Sequence, residues 1–250
     1  MKIGTLRQLL ESSRHPTGEG HILNALNFPL SAADTSRDGI SSDLTAWVAM
    51  ENTAWCNSSC SLFPIRDVHW GLAGNTGAMH HWHIDSDGFG TFVEPLTGGK
   101  LWFAAHPLKN ADAFSETKAF SVENYDMEGT NEDIFAVEAI HLLPGTRLWV
   151  TSSSWLRFRS LLCRYMPPNT PHWVVTTSHA ICRGGHFYSS GSIRETIVAL
   201  FRAFTSGGHI TNTTHTASRV LLQRLAFFWH SNIVLKQNTE SMISLIFPYV

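Results

Sequence analysis

Histidine and aspartate side chains crowd the stretch MHHWHIDSDGFG, which begins at Met79. In an extended strand, alternate residues point to the same face, so His83 and Asp85 project together while Ile84 points into the packing. One imidazole and one carboxylate supply two ligands of a two-histidine, one-carboxylate site, which leaves coordination positions open on iron(II). About one His-x-acid pair is expected by chance in a chain of this composition, so the spacing alone does not establish a metal site.

A third ligand must come from a distant segment, and the stretch MPPNTPHWVVTTSHAICRGGHF offers one. Its proline-rich turn delivers His172 to the start of a β-branched run, which is typical of a strand. We expect a turn at His179, followed by a further strand that ends in the glycine pair. Lys100 follows a second expected turn, Thr-Gly-Gly, where a cation could neutralise the far carboxylate of an organic co-substrate bound to the metal.

The elements that would position these side chains are mostly short strands. Through the middle of the chain, apolar runs such as LWFAAHP alternate with Gly, Pro, Asn and Asp, which is typical of a β-sandwich or jelly roll. Thr5 and Gln8 form a capping-box pattern before helical leucines, and Ser192 and Glu195 form another. We predict a mainly β protein with an N-terminal helical segment (1–20), a jelly-roll domain (21–190) and a C-terminal helical extension (191–250).

Composition sets limits on the class of protein. With 43% hydrophobic residues, nine Trp and fifteen Phe, the chain can bury a sizeable core. The net charge of −2 gives no electrostatic basis for a nucleic-acid or membrane partner. Four cysteines fit reduced thiols in an intracellular protein better than a disulfide framework. No serine or cysteine shows the sequence pattern of a hydrolytic nucleophile.

Three blocks of the sequence, in this order, resemble the JmjC (jumonji-C) family of oxygenases: HIDSDGFGTFVEPLTGGKLWF, HLLPGTRL and MPPNTPHWVVTTSHAICRGGHFYS. The similarity is greatest to the branch of plant-homeodomain-linked lysine demethylases. It implies a double-stranded β-helix and a dioxygenase that depends on Fe(II) and 2-oxoglutarate. It also implies iron ligands at His83, Asp85 and His172, with the distal carboxylate of 2-oxoglutarate on Lys100.

Three positions depart from the family pattern. His80 stands where many relatives have a Thr that helps to bind the co-substrate carboxylate, and Val93 stands where a Tyr is frequent. His186 stands where relatives often have an Asn that lines the substrate methyl pocket. We therefore expect His80 at the co-substrate and His186 at the substrate, but the choice of substrate does not carry over from the family.

The resemblance implies a protein or peptide substrate that is hydroxylated or N-demethylated, with histone methyl-lysine and a nuclear location as expectations. Between Asp112 and Glu138 there are eight acidic residues and one Lys. Such a segment is either a solvated loop or an acidic rim that attracts a basic peptide.

Sixteen residues, 149–164, separate two blocks that are almost contiguous in the family. A β-bulge adds one residue, so this segment must loop out of the sheet. Its two tryptophans and lack of acidic residues are unusual for an exposed loop. We hypothesise that it derives from an unremoved intron, which transcript sequencing tests; if it is genuine, it forms a lid or misplaces His172.

Two other functions are open at this stage. One is a cupin-type metalloenzyme that uses zinc or manganese for isomerisation or hydrolysis, without 2-oxoglutarate. The other is a non-catalytic JmjC-like binding or scaffold protein, which the departures at His80 and Val93 and the segment 149–164 favour. Formation of succinate from 2-oxoglutarate distinguishes both from the oxygenase.

Overall fold

One antiparallel sheet dominates the computed structural model, which describes residues 5–15, 21–29, 41–50, 62–107, 135–146, 148, 166–206 and 215–235. Its strands are β1 (Asn24–Pro29), β2 (His69–Gly74), β3 (Met79–His83), β4 (Gly90–Pro107), β5 (Phe135–Leu142) and β6 (His172–Phe187). The order along the sheet is β1-β2-β6-β4-β5, and β3 pairs with β6 off this path. Strand β6 is therefore central, since it pairs with β2, β3 and β4.

The two longest strands, β4 and β6, bend together without ending. Where the sequence predicted a Thr-Gly-Gly turn, β4 continues, and its register against β6 shifts three times between Pro95 and Lys100. Gly98 has a φ of +69°, and its backbone passes so close to His179 that a Cβ would clash. Because bulges bend a strand and increase its twist, both strands turn here while staying paired. The predicted turn at His179 is therefore wrong.

The sheet coils around a cavity. If β6 were straight, His172 and His186 would lie roughly 45 Å apart, at about 3.3 Å per residue. Instead, side-chain contacts of 3.9 Å or less link His172 through Asp85 and Thr91 to His186. The described chain is thus mainly β, with a sheet of jelly-roll type, and the predicted fold class is confirmed.

One helix precedes the strands in the sequence, two lie between β1 and β2, and two follow β6. They are α1 (Leu6–Ser13), α2 (Ser42–Ala49), α3 (Ile65–Val68), α4 (Ile193–Ser206) and α5 (Ser218–Trp229), with shorter helical turns at Ser86–Gly88, Ser190–Ser192 and His230–Val234. The predicted capping box of α1 is present, since Thr5 and Gln8 each accept a hydrogen bond from the other's backbone N–H. The predicted capping box of α4 is wrong. The chain enters α4 through a helical turn, and the buried Ser192 Oγ has no hydrogen-bond partner among the described residues.

Helix α2 was not predicted from the sequence, because it lies within the segment of short strands. Ser41 caps it by accepting a hydrogen bond from the Leu44 N–H at 3.1 Å. The helix packs against α5, where the Arg224 guanidinium lies 3.5 Å from the ring centroid of Trp47. The helices and the residues just outside β4 and β6 share one apolar cluster, which includes Trp47, Phe89, Tyr188, Leu221, Leu225 and Phe228.

Two described residues, one on either side of the segment 149–164, pair with alternate residues of β4. Leu148 pairs with Val93, and Met166 pairs with Thr91, through backbone hydrogen bonds. The segment itself lies outside the described residues, as do the acidic residues before 135 and the chain from 236 onward. None of the described helices is long and apolar enough to cross a membrane.

Candidate metal centre

Three side chains from two distant segments converge at one point of the cavity. His83 ends β3 and lies opposite His172, the first residue of β6, while Asp85 follows in an extended conformation. The Nε2 atoms of His83 and His172 each lie 3.9 Å from Asp85 Oδ1. One donor atom from each residue lies within 4.8 Å of the other two. The structure therefore brings together the three residues that the sequence predicted as metal ligands.

Backbone carbonyls orient both imidazoles. His83 Nδ1 lies 2.7 Å from the carbonyl oxygen of His81, and His172 Nδ1 lies 3.0 Å from that of Thr170. Because a carbonyl oxygen only accepts, each Nδ1 carries the hydrogen and each Nε2 keeps its lone pair. Such a partner on the far nitrogen is usual for histidines that ligate metals.

Burial and charge set the protonation of this group. Burial lowers the pKa of His83 to about 3, and it also lowers the pKa of His172. Burial raises the pKa of Asp85, but the neighbouring histidines and the hydrogen bond from Thr91 outweigh that effect and hold the pKa below its ordinary value. At neutral pH the group is thus two neutral imidazoles and one carboxylate. This donor set fits a divalent transition-metal ion.

Neighbouring side chains fix the group in place. Thr91 Oγ1 donates to Asp85 Oδ2 at 2.6 Å, so one carboxylate oxygen is held while the other faces the histidines. The Trp102 ring stacks on His172, with centroids 5.2 Å apart and planes 14° apart. Packing therefore restricts the rotation of both ligands, and the site is preorganised.

Lys100 is buried at the same cavity. Its side chain is 3% exposed, and its Nζ donates to Thr176 Oγ1 at 3.1 Å. Burial lowers the pKa of Lys100, and within the described residues no carboxylate pairs with it. A buried charge without a counter-charge is destabilising by several kcal/mol, so this position favours an anion from outside the described chain.

His80 lies beside the metal group. Its ring is tilted by 31° over that of His83, with centroids 3.7 Å apart. Burial, followed by the charge of His83, lowers the pKa of His80 to about 4. No donor atom of His80 belongs to the three-residue group that could hold a metal ion.

The cavity has a volume of about 140 Å³. All six residues that the sequence predicted for the site line it, and so do Thr91, Trp102 and His215. The structure shows that these residues lie close together, whereas the roles of Lys100, His80 and His186 stay predictions.

His215 is a cavity residue that sequence reasoning missed. It precedes α5, and its ring centroid lies 4.7 Å from that of His186. Both its backbone N–H and its Nδ1 contact Asp87 Oδ2 at 3.0 Å. Burial raises the pKa of Asp87, but hydrogen bonds with His215 outweigh it and hold the pKa below its ordinary value. An isolated histidine before a helix carries no sequence signal for such a position.

Two other candidates have structural contacts. Asp87, which could have competed with Asp85 as a ligand, is engaged by His215 instead. His179 Nδ1 accepts a hydrogen bond from the Thr76 N–H at 3.2 Å, which ties β6 to the loop before β3.

No protein-family model matches the sequence, and no curated protein sequence matches it. Among solved structures, the chain is similar to a variant of oxalate decarboxylase from Bacillus subtilis. The identity is 12%, the TM-score is 0.28, and the match covers 51% of this chain and 22% of that one. The chain thus spans less than a quarter of that protein. The fold class and the candidate metal centre are defined by the strand pairing and side-chain geometry described above.

Proposed function

We propose that the protein is an Fe(II)- and 2-oxoglutarate-dependent oxygenase of JmjC type, which hydroxylates or N-demethylates a protein side chain. One observation carries this proposal: a buried ammonium, that of Lys100, shares a cavity with a two-histidine, one-carboxylate group. The triad accounts for a metal, and the lysine accounts for an anionic co-substrate. A zinc or manganese cupin that acts on an uncharged substrate without 2-oxoglutarate would not need that lysine.

His83, Asp85 and His172 would hold the iron. Three protein ligands on an octahedral ion leave positions for a chelating co-substrate and dioxygen. Iron(II) with these two co-substrates supplies the oxidising power to hydroxylate a C–H bond. The chain itself keeps both imidazoles neutral and oriented, and it holds the carboxylate through Thr91.

Lys100 would bind the distal carboxylate of 2-oxoglutarate. An anion there relieves the burial of the ammonium and forms a charge-assisted hydrogen bond, which is stronger than a neutral one. The Thr176 hydroxyl already accepts from Nζ at 3.1 Å and fixes its direction. His80 would line the same co-substrate position, because it lines the cavity with its ring against that of His83.

The protein substrate would be basic around the modified residue. The acidic residues from Asp112 to Glu138 supply the complementary charge. Reversing the charges of Glu128, Glu132 and Asp133 is then expected to weaken the binding of a basic peptide, with the effect largest at low salt. Unchanged affinity at low salt would remove this partner from the proposal.

Succinate formation tests the oxygenase. The purified chain is supplied with Fe(II), 2-oxoglutarate and a basic peptide pool, and succinate is measured with and without iron. We expect iron-dependent succinate in the wild type and none in His83→Ala. Lys100→Met keeps the side-chain length but removes the charge, so the Kd for 2-oxoglutarate should rise about 10- to 100-fold.

His81→Ala is the matched control. The side chain of His81 is exposed, and the substitution keeps the carbonyl that orients His83. It should turn over at the wild-type rate. Equal turnover in the wild type and His83→Ala would refute the oxygenase, and iron binding without succinate would support a scaffold protein.

A further inference from the structure

Two imidazoles line the cavity next to each other. They are part neither of the metal group nor of the co-substrate position proposed at Lys100. They are His186, near the end of β6, and His215, before α5, with ring centroids 4.7 Å apart. Both rings also pack against Phe89, at 5.5 Å and 5.3 Å between centroids. This packing fixes their orientation, so the pair presents a preformed polar surface.

The hydrogen on His186 can be assigned from its partners. Thr91 Oγ1 donates its single hydrogen to Asp85 Oδ2 at 2.6 Å. The same hydroxyl lies 2.9 Å from His186 Nδ1. Since the hydroxyl hydrogen is already used, His186 Nδ1 must be the donor in this contact. The Nε2 of a neutral His186 then carries a lone pair.

The same argument applies to His215. Its Nδ1 lies 3.0 Å from Asp87 Oδ2, and a carboxylate only accepts, so Nδ1 carries the hydrogen. The Tyr188 hydroxyl donates a hydrogen bond to the backbone carbonyl of Asp87 at 2.8 Å and so holds Asp87 in position for this contact. The backbone of Asp87 has a φ of +59° there. Within the described residues, Nε2 of neither His186 nor His215 has a hydrogen-bond partner.

We propose that His215, positioned by Asp87, joins His186 in an acceptor subsite that selects a substrate group with an N–H donor. When both imidazoles are neutral, the two lone pairs on one wall fit an amide, a guanidinium or an ammonium that retains an N–H. A trimethylammonium group has no hydrogen to donate and leaves both nitrogens unsatisfied, which is destabilising in a buried site. This substrate role rests on the proposed oxygenase function, whereas the acceptor character of the pair does not.

The size of the cavity restricts what can enter. Its volume of about 140 Å³ is below the range of about 300–1,000 Å³ that is usual for whole ligands. A substrate would therefore reach the pair with the end of one side chain. The hydrogen-bonding atoms at that end then decide which side chains are accepted.

Nitrogen NMR on the full chain, without iron or 2-oxoglutarate, tests the subsite separately from the oxygenase. Long-range ¹H–¹⁵N spectra give the tautomer of each histidine. We expect hydrogen on Nδ1 of both His186 and His215. Methylguanidinium and acetamide should shift both Nε2 signals on titration, and tetramethylammonium at equal concentration should not.

His215→Phe removes the acceptor but keeps an aromatic ring against Phe89. It should weaken methylguanidinium binding about two- to tenfold, as read at His186 Nε2. His215→Gln, which retains an acceptor, should restore part of the affinity and serves as the second variant if the first does not fold. Hydrogen on Nε2 of His215, equal binding of tetramethylammonium, or unchanged affinity in a folded His215→Phe would each overturn the proposal.

Discussion

Two pairs of histidines line the cavity, and different contacts orient them. In the first pair, His83 and His172, each Nδ1 contacts the carbonyl of the residue two positions earlier. In the second pair, His186 and His215, each Nδ1 contacts a side chain that is 95 or 128 residues away in the sequence. Local backbone therefore orients the first pair, whereas the second depends on closure of the sheet and on the placement of the helices.

Because different contacts orient them, the two pairs of histidines should respond to different changes in the protein. A change in a distant element that leaves Thr91 and Asp85 in place should leave the first pair able to bind a metal ion while it displaces the second. Loss of an imidazole of the first pair should weaken metal binding strongly and leave the second pair in place.

The largest expected effect comes from removing a metal ligand. His172→Ala should weaken Fe(II) or Co(II) binding about 100- to 1,000-fold, because the variant loses the part of the binding free energy that one ligand contributes. His186→Ala, in the second pair, should change metal affinity by less than about tenfold. Titration calorimetry under anaerobic conditions measures both.

His81→Ala serves again as the control, because it removes an exposed imidazole beside the metal group and should leave metal affinity unchanged. If His186→Ala weakened metal binding as much as His172→Ala, the two pairs would be one site and the comparison would fail.

Asp43 tests how helix α2 is held at the end of β6, the strand that carries His186. The N–H groups of Ser42 and Asp43 donate to the carbonyl of Tyr188, just after β6. Burial raises the pKa of Asp43 to about 6 from 3.8. Since the folded protein holds this proton more tightly than the unfolded chain, the ionised form is destabilising. The contribution of Asp43 to stability therefore falls as pH rises from about 4 to 6.

Comparison with Asp43→Asn isolates that contribution, because the amide does not titrate. The free energy of unfolding of the wild type should fall relative to the variant by about 2 kcal/mol between pH 4 and pH 7. Urea denaturation at several pH values measures the difference. A difference that stays constant with pH, or that rises with pH, would show that Asp43 does not act in this way.

Thr91 joins the two pairs, since its hydroxyl contacts Asp85 on one side and His186 on the other. Thr91→Val keeps the shape but removes both hydrogen bonds. Metal affinity should fall about 10- to 100-fold, as for other residues that hold a metal ligand in place. Thr176→Val, a similarly buried change on β6 that touches Lys100 instead, should leave metal affinity within about threefold. If Thr176→Val weakened metal binding more than Thr91→Val, a residue other than Thr91 would hold Asp85 in place.

The sequence predicted the features that neighbouring residues encode. The spacing of His83 and Asp85 places two ligands on one face, and the Thr5 pattern starts a helix where one is found. A proline-rich turn and the family resemblance predicted the distant His172 as a ligand at the start of a strand, and His172 begins β6. Alternating apolar runs and turn residues predicted the fold class.

The sequence did not predict the features that depend on long-range packing. Thr-Gly-Gly and His179 read as turns, but pairing of β4 with β6 along both segments makes them bulges. Ser192 matches a helix cap, yet a preceding helical turn leaves its hydroxyl buried and unbonded among the described residues. At the cavity, His215 contacts Asp87, which adopts a positive φ. No local pattern reports any of these arrangements.

The smallest expected effect comes from deleting residues 149–164. Leu148 pairs with Val93 and Met166 with Thr91, so the flanks of the segment face alternate residues of β4. After the deletion, one residue, Tyr165, would separate Leu148 from Met166, just as one residue separates Val93 from Thr91. Because the register is preserved, metal affinity should stay within about threefold of the full chain.

Deleting 149–163 is the matched control for this register. It leaves two residues between Leu148 and Met166, so one side of the junction must slip by a residue and turn its side chains to the opposite face. That slip would act on Thr91, and through it on Asp85 and His186, because Met166 forms backbone hydrogen bonds with Thr91 in both directions. We expect the shorter deletion to weaken metal binding and to lower the Tm, whereas the longer one does neither. Equal behaviour of the two deletions would mean that the pairing at Thr91 does not position the carboxylate, and that the first pair is as independent of distant elements as its carbonyl contacts suggest.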